Sequence, residues 1–358
     1  MREDFNGLIS IGGRKIGKGQ RPFMIAEVGI NHGGDFEVAK QIAVCASTAG
    51  ADAVKFQCHI PDEEMLETNV TPINSKESLY NLITRCSFTE EQEAKIKRLC
   101  ESLGVIYLST PFSKAAVDRL ERLGVCAYKI GSGETNNPDF VEYVASKGKP
   151  VIMSTGMSSM YHLESSVDVL RRNNVNYALL HCVSAYPTPP ECVGLHKMAF
   201  LADDFPDTVI GYSDHTEGIV ACFAALSLGA QIVEKHVMLS DTSPYWQPSM
   251  MDEPDYYVSA DTEEFAYIVH AANEIFTMLS EYDDSQTYQL ESQTSLFAFG
   301  SVIATETIPS GGVMSVENTV VKRPGTGGML AKDYKKLLGC YAIKEIPAGA
   351  QIKRGDLR

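Results

Sequence analysis

Residues 210–236 read IGYSDH, then TEGIVACFAALSLGA, then QIVEKH. Each end is a short apolar run of β type that closes on polar residues, Ser213-Asp214-His215 and Glu234-Lys235-His236. The alanine-rich middle has helical periodicity and stops at Gly229, the residue type that ends helices in a left-handed conformation. The stretch is strand, helix, strand, and in a parallel sheet both strand tips fall on the same side. His215 and His236 therefore face each other across neighbouring tips, where a closed barrel keeps its active site. Two imidazoles so placed can hold a divalent metal, whereas the bland alternative is a pair of unrelated surface histidines. Their matching positions in successive units favour the metal.

Working outward, the chain from Pro22 repeats this rhythm. Apolar runs at 23–26, 53–57, 105–108, 127–130, 151–153 and 177–180 predict six further strands, separated by helices such as 36–49 and 89–103. A long polar loop through Asn74, Glu77 and Tyr80 follows the second strand, and a helix over about 262–280 closes the set. Eight strand–helix units over about 260 residues predict an α/β fold, a (β/α)8 TIM barrel. A doubly wound open sheet has no reason for eight similar strand ends.

Nearly every strand ends on a residue able to hydrogen-bond, carry charge or bind metal: Glu27, Gln57, Thr110, Glu134, Ser154, Ser184 and the two tips quoted above. Lys55 and Lys129 sit inside apolar strands, where an unpartnered cation is costly. Their neighbours are serines and threonines, so we read them as anion-binding groups in an empty pocket. On that reading, replacing either by Met leaves the fold as stable as before. Pairing with a barrel carboxylate is the alternative.

The chain divides on composition into an arm or hairpin (1–21), a barrel (22–280), a polar linker (281–294) and a small β-rich domain (295–358). The glycine- and lysine-rich arm lacks the full phosphate-loop pattern. The last part repeats an I-P-x-G motif at Ile308–Gly311 and Ile346–Gly349. A net charge of −15 argues against general nucleic-acid binding. No run reaches the ~20 apolar residues of a membrane span. The N-terminus has no signal-peptide pattern, and nine scattered cysteines without a C-x-x-C pair fit a cytoplasmic protein with reduced thiols.

The motifs Ala26-Glu27-Val28-Gly29, Val54-Lys55-Phe56-Gln57, Ser109-Thr110-Pro111-Phe112, Lys129-Ile130-Gly131-Ser132-Gly133-Glu134, Ser154-Thr155-Gly156-Met157, Tyr186-Pro187-Thr188-Pro189 and the two histidine tips occur in one order. In that order they make the chain similar to the N-acetylneuraminate (sialic acid) synthase family. Its tail, with Lys322-Arg323-Pro324-Gly325, resembles the antifreeze-like SAF domain that family carries. The resemblance implies a transferase that condenses phosphoenolpyruvate with an N-acetylmannosamine-like acylamino sugar, giving a nine-carbon 2-keto acid and phosphate. A deoxy, diacetamido hexose is the alternative acceptor, and a pyruvate-dependent metal aldolase the alternative chemistry. It also implies Mn2+ or Mg2+ on His215 and His236. Lys55, Gln57, Lys129, Ser132, Ser154, Ser184 and Ser213 would hold the carboxylate and phosphate. Thr110 and Tyr186 would line the pocket, and Glu27 and Glu134 would position water or sugar hydroxyls. Family resemblance further implies a domain-swapped homodimer in which Arg323 reaches the partner's sugar.

One departure, Ser184, falls on the phosphate side, and the others fall on the sugar side. Ser184 stands where the family often has Asn, and the segment after the eighth strand is longer than usual. Asp255 aligns with a family aspartate there, and Trp246, Tyr245, Tyr256, Tyr257 and Met250-Met251 follow the metal strand. We expect residues 240–258 to sit over the pocket mouth and set sugar preference, or else to pack against neighbouring protein.

Overall fold

The computed structural model describes residues 7–280 and 282–358, so the first six residues of the arm and residue 281 of the linker lie outside the described part. The chain divides into two compact units between residues 280 and 281.

In the first unit eight parallel strands form the barrel: β1 Phe23–Glu27, β2 Ala53–Cys58, β3 Ile106–Pro111, β4 Tyr128–Ile130, β5 Val151–Ser154, β6 Tyr177–His181, β7 Val209–Asp214 and β8 Ile232–Val237. Their ladder order is β3-β2-β1-β8-β7-β6-β5-β4. Strands β3 and β4 lie side by side, with no ladder between them among the described residues, so the barrel is nearly closed. Residue alternation sorts the side chains. Val54, Phe56 and Cys58 of β2 point out into the helical layer, as do Tyr128, Ile130, Val151 and Met153. Ala53, Leu108, Ala127, Ile152, Ala178 and Val209 point in and fill the lower barrel.

The N-terminal segment supplies the floor. Leu8–Ile11 and Arg14–Gly17 pair as an antiparallel hairpin. Its Ile9, Ile11 and Ile16 are fully or almost fully buried against those inward residues. Asp52 ties the hairpin to the barrel, meeting Arg14 at 3.2 Å and Arg21 at 2.6 Å and accepting the Met24 N–H at 2.9 Å. The barrel is thus sealed at its N-terminal end, and polar side chains can gather only at the other.

Two connecting segments differ from expectation. The loop after β2 carries short helices Pro61–Glu64 and Leu79–Cys86. Leu82, Ile83 and Cys86 of the second face Ile30, an amphipathic pattern too short to stand out from its polar flanks. The polar stretch read as a linker is largely the helix Asp284–Ala298, capped by the Asp283 side chain and without a buried residue. The second unit pairs Ser301–Ala304 with Thr319–Lys322 around Val302, Ile308, Met314, Leu337, Ile346 and Ile352. Its two I-P-x-G motifs pair with each other: the Ile308 and Ile346 amides each donate to the other's carbonyl at 2.8 Å. Gly311 and Gly349 make equivalent left-handed turns, φ +85° and +79°.

Candidate active site

Above the apolar floor the inward positions become charged. Glu27 comes from β1, Lys55 from β2, Lys129 from β4 and Glu234 from β8, and all are buried. The Lys55 ammonium stands 2.6 Å from Glu27 and 3.6 Å from Glu234, and donates to Thr110 Oγ1 at 3.1 Å. Lys129 stands 3.6 Å from Glu234 and donates to Ser154 Oγ at 2.6 Å. Ser213 Oγ donates to Glu234 Oε1 at 2.8 Å. Burial pushes the Glu234 carboxyl up, but Lys129, Lys55 and Ser213 together hold it down at about 2. Burial likewise disfavours the Lys55 cation, yet Glu234 and Glu27 outweigh it and raise its pKa; for Lys129 burial wins and lowers it. This overturns the reading of two unpartnered lysines in an empty pocket, because two carboxylates already balance them.

The histidine tips lie beside this network, ring centroids 5.5 Å apart. His215 Nδ1–H donates to the Val183 carbonyl at 2.8 Å, which fixes its tautomer and leaves Nε2 to accept from the Tyr186 hydroxyl at 3.1 Å. Burial and the neighbouring His236 keep His215 neutral, its pKa down at about 4. His236 Nδ1 is 3.3 Å from Asp255 Oδ2, an ion-pair distance without hydrogen-bond alignment. Burial opposes the His236 charge, but Asp255 prevails and raises its pKa. Nε2, on the opposite ring edge, is left for the pocket. Behind the tips, Lys235 points out of the barrel and is fully buried, donating to Asp214 at 2.8 Å and to the Thr216 carbonyl at 2.7 Å. That pair joins β7 to β8 directly beneath both imidazoles. Among the described residues no group of three or more His, Cys, Asp or Glu forms a metal cage. An ion held here would take two protein ligands and keep its other positions open, a donor set that suits a catalytic site better than a closed structural one.

A second chain of contacts starts at Glu27. Gln57 Nε2 donates to Glu27 Oε1 at 3.2 Å, leaving the Gln57 carbonyl to face His59 Nε2 at 3.0 Å. His59 Nε2 must then carry a proton. Its Nδ1 meets Glu64 Oε1 at 2.8 Å, and its ring stacks on Phe112 with centroids 4.3 Å apart. Glu134 lies across the pocket with no hydrogen bond to Oε2, and burial pushes its carboxyl up to about 7. It is the group best poised to exchange a proton near neutral pH.

Every residue assigned from the sequence to catalysis, substrate binding or metal lines one cavity of about 770 Å³ except Asp255 and Arg323. Asp255 backs His236 and accepts the Ile30 amide, and Arg323 is exposed in the second unit. Ser132 takes the Gly156 N–H at 3.1 Å, and a side chain at Gly156 would strike the hydroxyls of Ser184 and Ser132. Of residues 240–258 none lines this cavity itself, but Pro254 and Asp255 line a side pocket that shares Gln57 and Tyr186 with it. Trp246 and Met250 instead pack on the barrel core, while Tyr245, Met251 and Tyr257 face outward. The cavity also contains Glu234, His59, Glu64, Met65, Pro72, Leu79 and Ile83, which sequence reasoning missed. For Glu234 the signal was available: it is two positions before His236 and so shares its inward face.

The profile of the NeuB family matches residues 42–284, and that of the SAF domain matches residues 299–358. The chain is 33% identical to N-acetylneuraminate-9-phosphate synthase of Homo sapiens, covering 91% of this chain and 90% of that one. It is 32% identical to N,N'-diacetyllegionaminic acid synthase of Legionella pneumophila, covering 92% and 93%. The crystal structure of N-acetylneuraminic acid synthetase from Leptospira borgpetersenii in complex with citrate superposes with a TM-score of 0.71 at 30% identity, covering 81% and 97%.

The charge network yields a stability prediction. Lys55→Met strands Glu27 and leaves Glu234 with one cation, so the barrel transition in urea should lose about 3–5 kcal/mol. Adding Glu27→Gln should restore a large part of that loss. Unchanged stability of Lys55→Met would mean the lysine has no structural partner.

Proposed function

The chain belongs to the NeuB family, and we propose that it condenses phosphoenolpyruvate with the open-chain aldehyde of an acylamino hexose, releasing inorganic phosphate and a nine-carbon 2-keto acid. The observation that carries the reading is the juxtaposition in one cavity of two buried lysines among serine hydroxyls, a histidine pair and Glu134, whose carboxyl burial pushes up to about 7. Such a site can hold a multiply charged anion on one side and activate a carbonyl on the other.

Lys55, Lys129, Ser132, Ser154, Ser184 and Ser213 would bind the carboxylate and phosphate oxygens, with Gln57, Thr110 and Tyr186 completing the lining. Mn2+ or Mg2+ would be held by Nε2 of His236 and, in place of the Tyr186 hydroxyl, by Nε2 of His215, and would supply Lewis-acid polarisation to the aldehyde. The enol C3 attacks the aldehyde carbon, forming the new carbon–carbon bond, and the carbonyl oxygen takes a proton from Glu134. Water adds to the cationic C2 and gives its proton to Glu27, whose carboxylate Lys55 and Gln57 hold in place. The C2–O bond to phosphate then breaks as the C2 hydroxyl gives its remaining proton to the departing phosphate, leaving the ketone and inorganic phosphate. An N-acetylmannosamine-like sugar is the acceptor class this reading starts from.

The test is phosphate release from phosphoenolpyruvate over a panel of acylamino hexoses. Release should require both substrates, stop with a chelator, return with Mn2+, and be absent in His236→Ala. Product formation from pyruvate without phosphate would point to an aldolase instead. We also propose that a homodimer completes the site, with Arg323 reaching the partner's sugar, because a guanidinium donates to an amide carbonyl with fixed geometry. Mixed dimers of Arg323→Ala and His236→Ala chains should then recover part of the activity. Verified mixed dimers without activity would place Arg323 outside the partner's site.

A further inference from the structure

His59 and Glu64 border the cavity, are deeply buried and have no part in the chemistry derived above. His59 follows the last residue of β2, and Glu64 closes the short helix Pro61–Glu64 that begins two residues later. The couple is engaged at every polar atom. His59 Nδ1 is 2.8 Å from Glu64 Oε1, and Nε2 is 3.0 Å from the Gln57 carbonyl oxygen. Glu64 Oε2 accepts the Ile60 N–H at 3.3 Å. Phe112 covers one face of the ring, the two planes 14° from parallel. The imidazole is thus held at both nitrogens and on one face.

Hydrogen-bond roles run in one direction along this line. Glu27, paired with Lys55 at 2.6 Å, is a carboxylate and can only accept. Gln57 must therefore turn its NH2 to Glu27 and its carbonyl away. That carbonyl also can only accept, so His59 must present Nε2–H to it. Between Nδ1 and Glu64 lies one further proton, carried either by the ring or by the carboxyl. Both placements keep Nε2–H where it is. Without that N–H nothing in the line stops the Gln57 amide from turning over, which would set its carbonyl oxygen against the Glu27 carboxylate.

We infer that His59, fixed by Glu64, is a positioning residue for the condensation: it locks the Gln57 amide so that Gln57 holds Glu27 towards the water that attacks C2. The inference rests on the synthase reading and on Glu27 as acceptor of that water's proton. His59 acts through Gln57, as a group that orients a general base does. The competing role is a direct contact with the sugar, but both ring nitrogens are already taken. The two roles fall on different kinetic constants, since aiming a base acts on kcat and a ground-state contact acts on KM.

The experiment measures kcat and both KM values by phosphate release, with the acylamino hexose that wild type uses best. His59→Asn keeps an amide that meets Glu64 but ends short of Gln57. Its kcat should fall about 10- to 100-fold with both KM values unchanged. His59→Gln brings an NH2 to the Gln57 carbonyl and should stay within about fivefold of wild type, the worth of one imperfect hydrogen bond. In a Gln57→Leu background His59→Asn should cost nothing further, because the amide it releases is gone. Glu64→Gln leaves His59 in place and tests the line independently of any folding defect at His59. Its NH2 can donate to Nδ1 while its carbonyl accepts the Ile60 N–H, so Nε2–H survives and activity should stay within about the same fivefold. A raised KM for the sugar at unchanged kcat, equal losses in His59→Asn and His59→Gln, or a Glu64→Gln chain as impaired as His59→Asn overturns the inference while the synthase reading stands. Absence of phosphate release by wild type with every acceptor withdraws both.

Discussion

The structure turns on keeping two ammonium groups inside a protein barrel. Unit charges about 4 Å apart attract by about 4 kcal/mol at the effective dielectric of such sites, and an unpaired buried charge costs at least as much. Glu27 and Glu234 meet that requirement from β1 and β8, at 2.6 Å and 3.6 Å from Lys55. Those two strands are hydrogen-bonded neighbours, pairing Glu234 with Ile25 and His236 with Glu27. The network therefore fixes which strand tips meet, and it leaves the lysines aimed at a cavity instead of at solvent. An incoming anion must share them with the carboxylates already present.

The same logic operates outside the barrel, where Lys235 and Asp214 form a second fully buried pair one residue before each histidine. Alternation puts the charged pair on one side of the strands and the imidazoles on the other. With Val183 setting the His215 tautomer and Asp255 backing His236, both rings are held by neighbours that are not themselves in the cavity. The catalytic end of the barrel is rigid for reasons that lie behind it. The floor is rigid for a simpler one, three isoleucines of the N-terminal hairpin plugged into the lower barrel.

Much of this was legible in the sequence, because strand periodicity and the residue at each strand tip are local properties. The eight strands and most of the inward polar residues follow from that alone. What stayed hidden depended on tertiary partners. Nothing local says that Lys55 is paired, since Glu27 and Glu234 lie 28 and 179 positions away. His59 and Glu64 read as loop residues until Gln57 and Phe112 are seen against the ring. The helix Leu79–Cys86 was masked by its polar flanks, so the apolar wall it contributes was not foreseen. The aromatic residues after β8 misled because position just after a histidine-tipped strand does not decide direction, and Trp246 turns to the core.

The central claim is that Glu234 neutralises Lys55 and Lys129 in the unliganded site and opposes the anion that binds there. The most direct measurement is the calorimetric Kd of phosphoenolpyruvate for wild type and Glu234→Gln, taken without the sugar so that no turnover occurs. Removing the carboxylate should tighten binding by about tenfold, the equivalent of about 1.4 kcal/mol. Weaker or unchanged binding by Glu234→Gln would show that the lysines are not shared in this way, and would contradict the account.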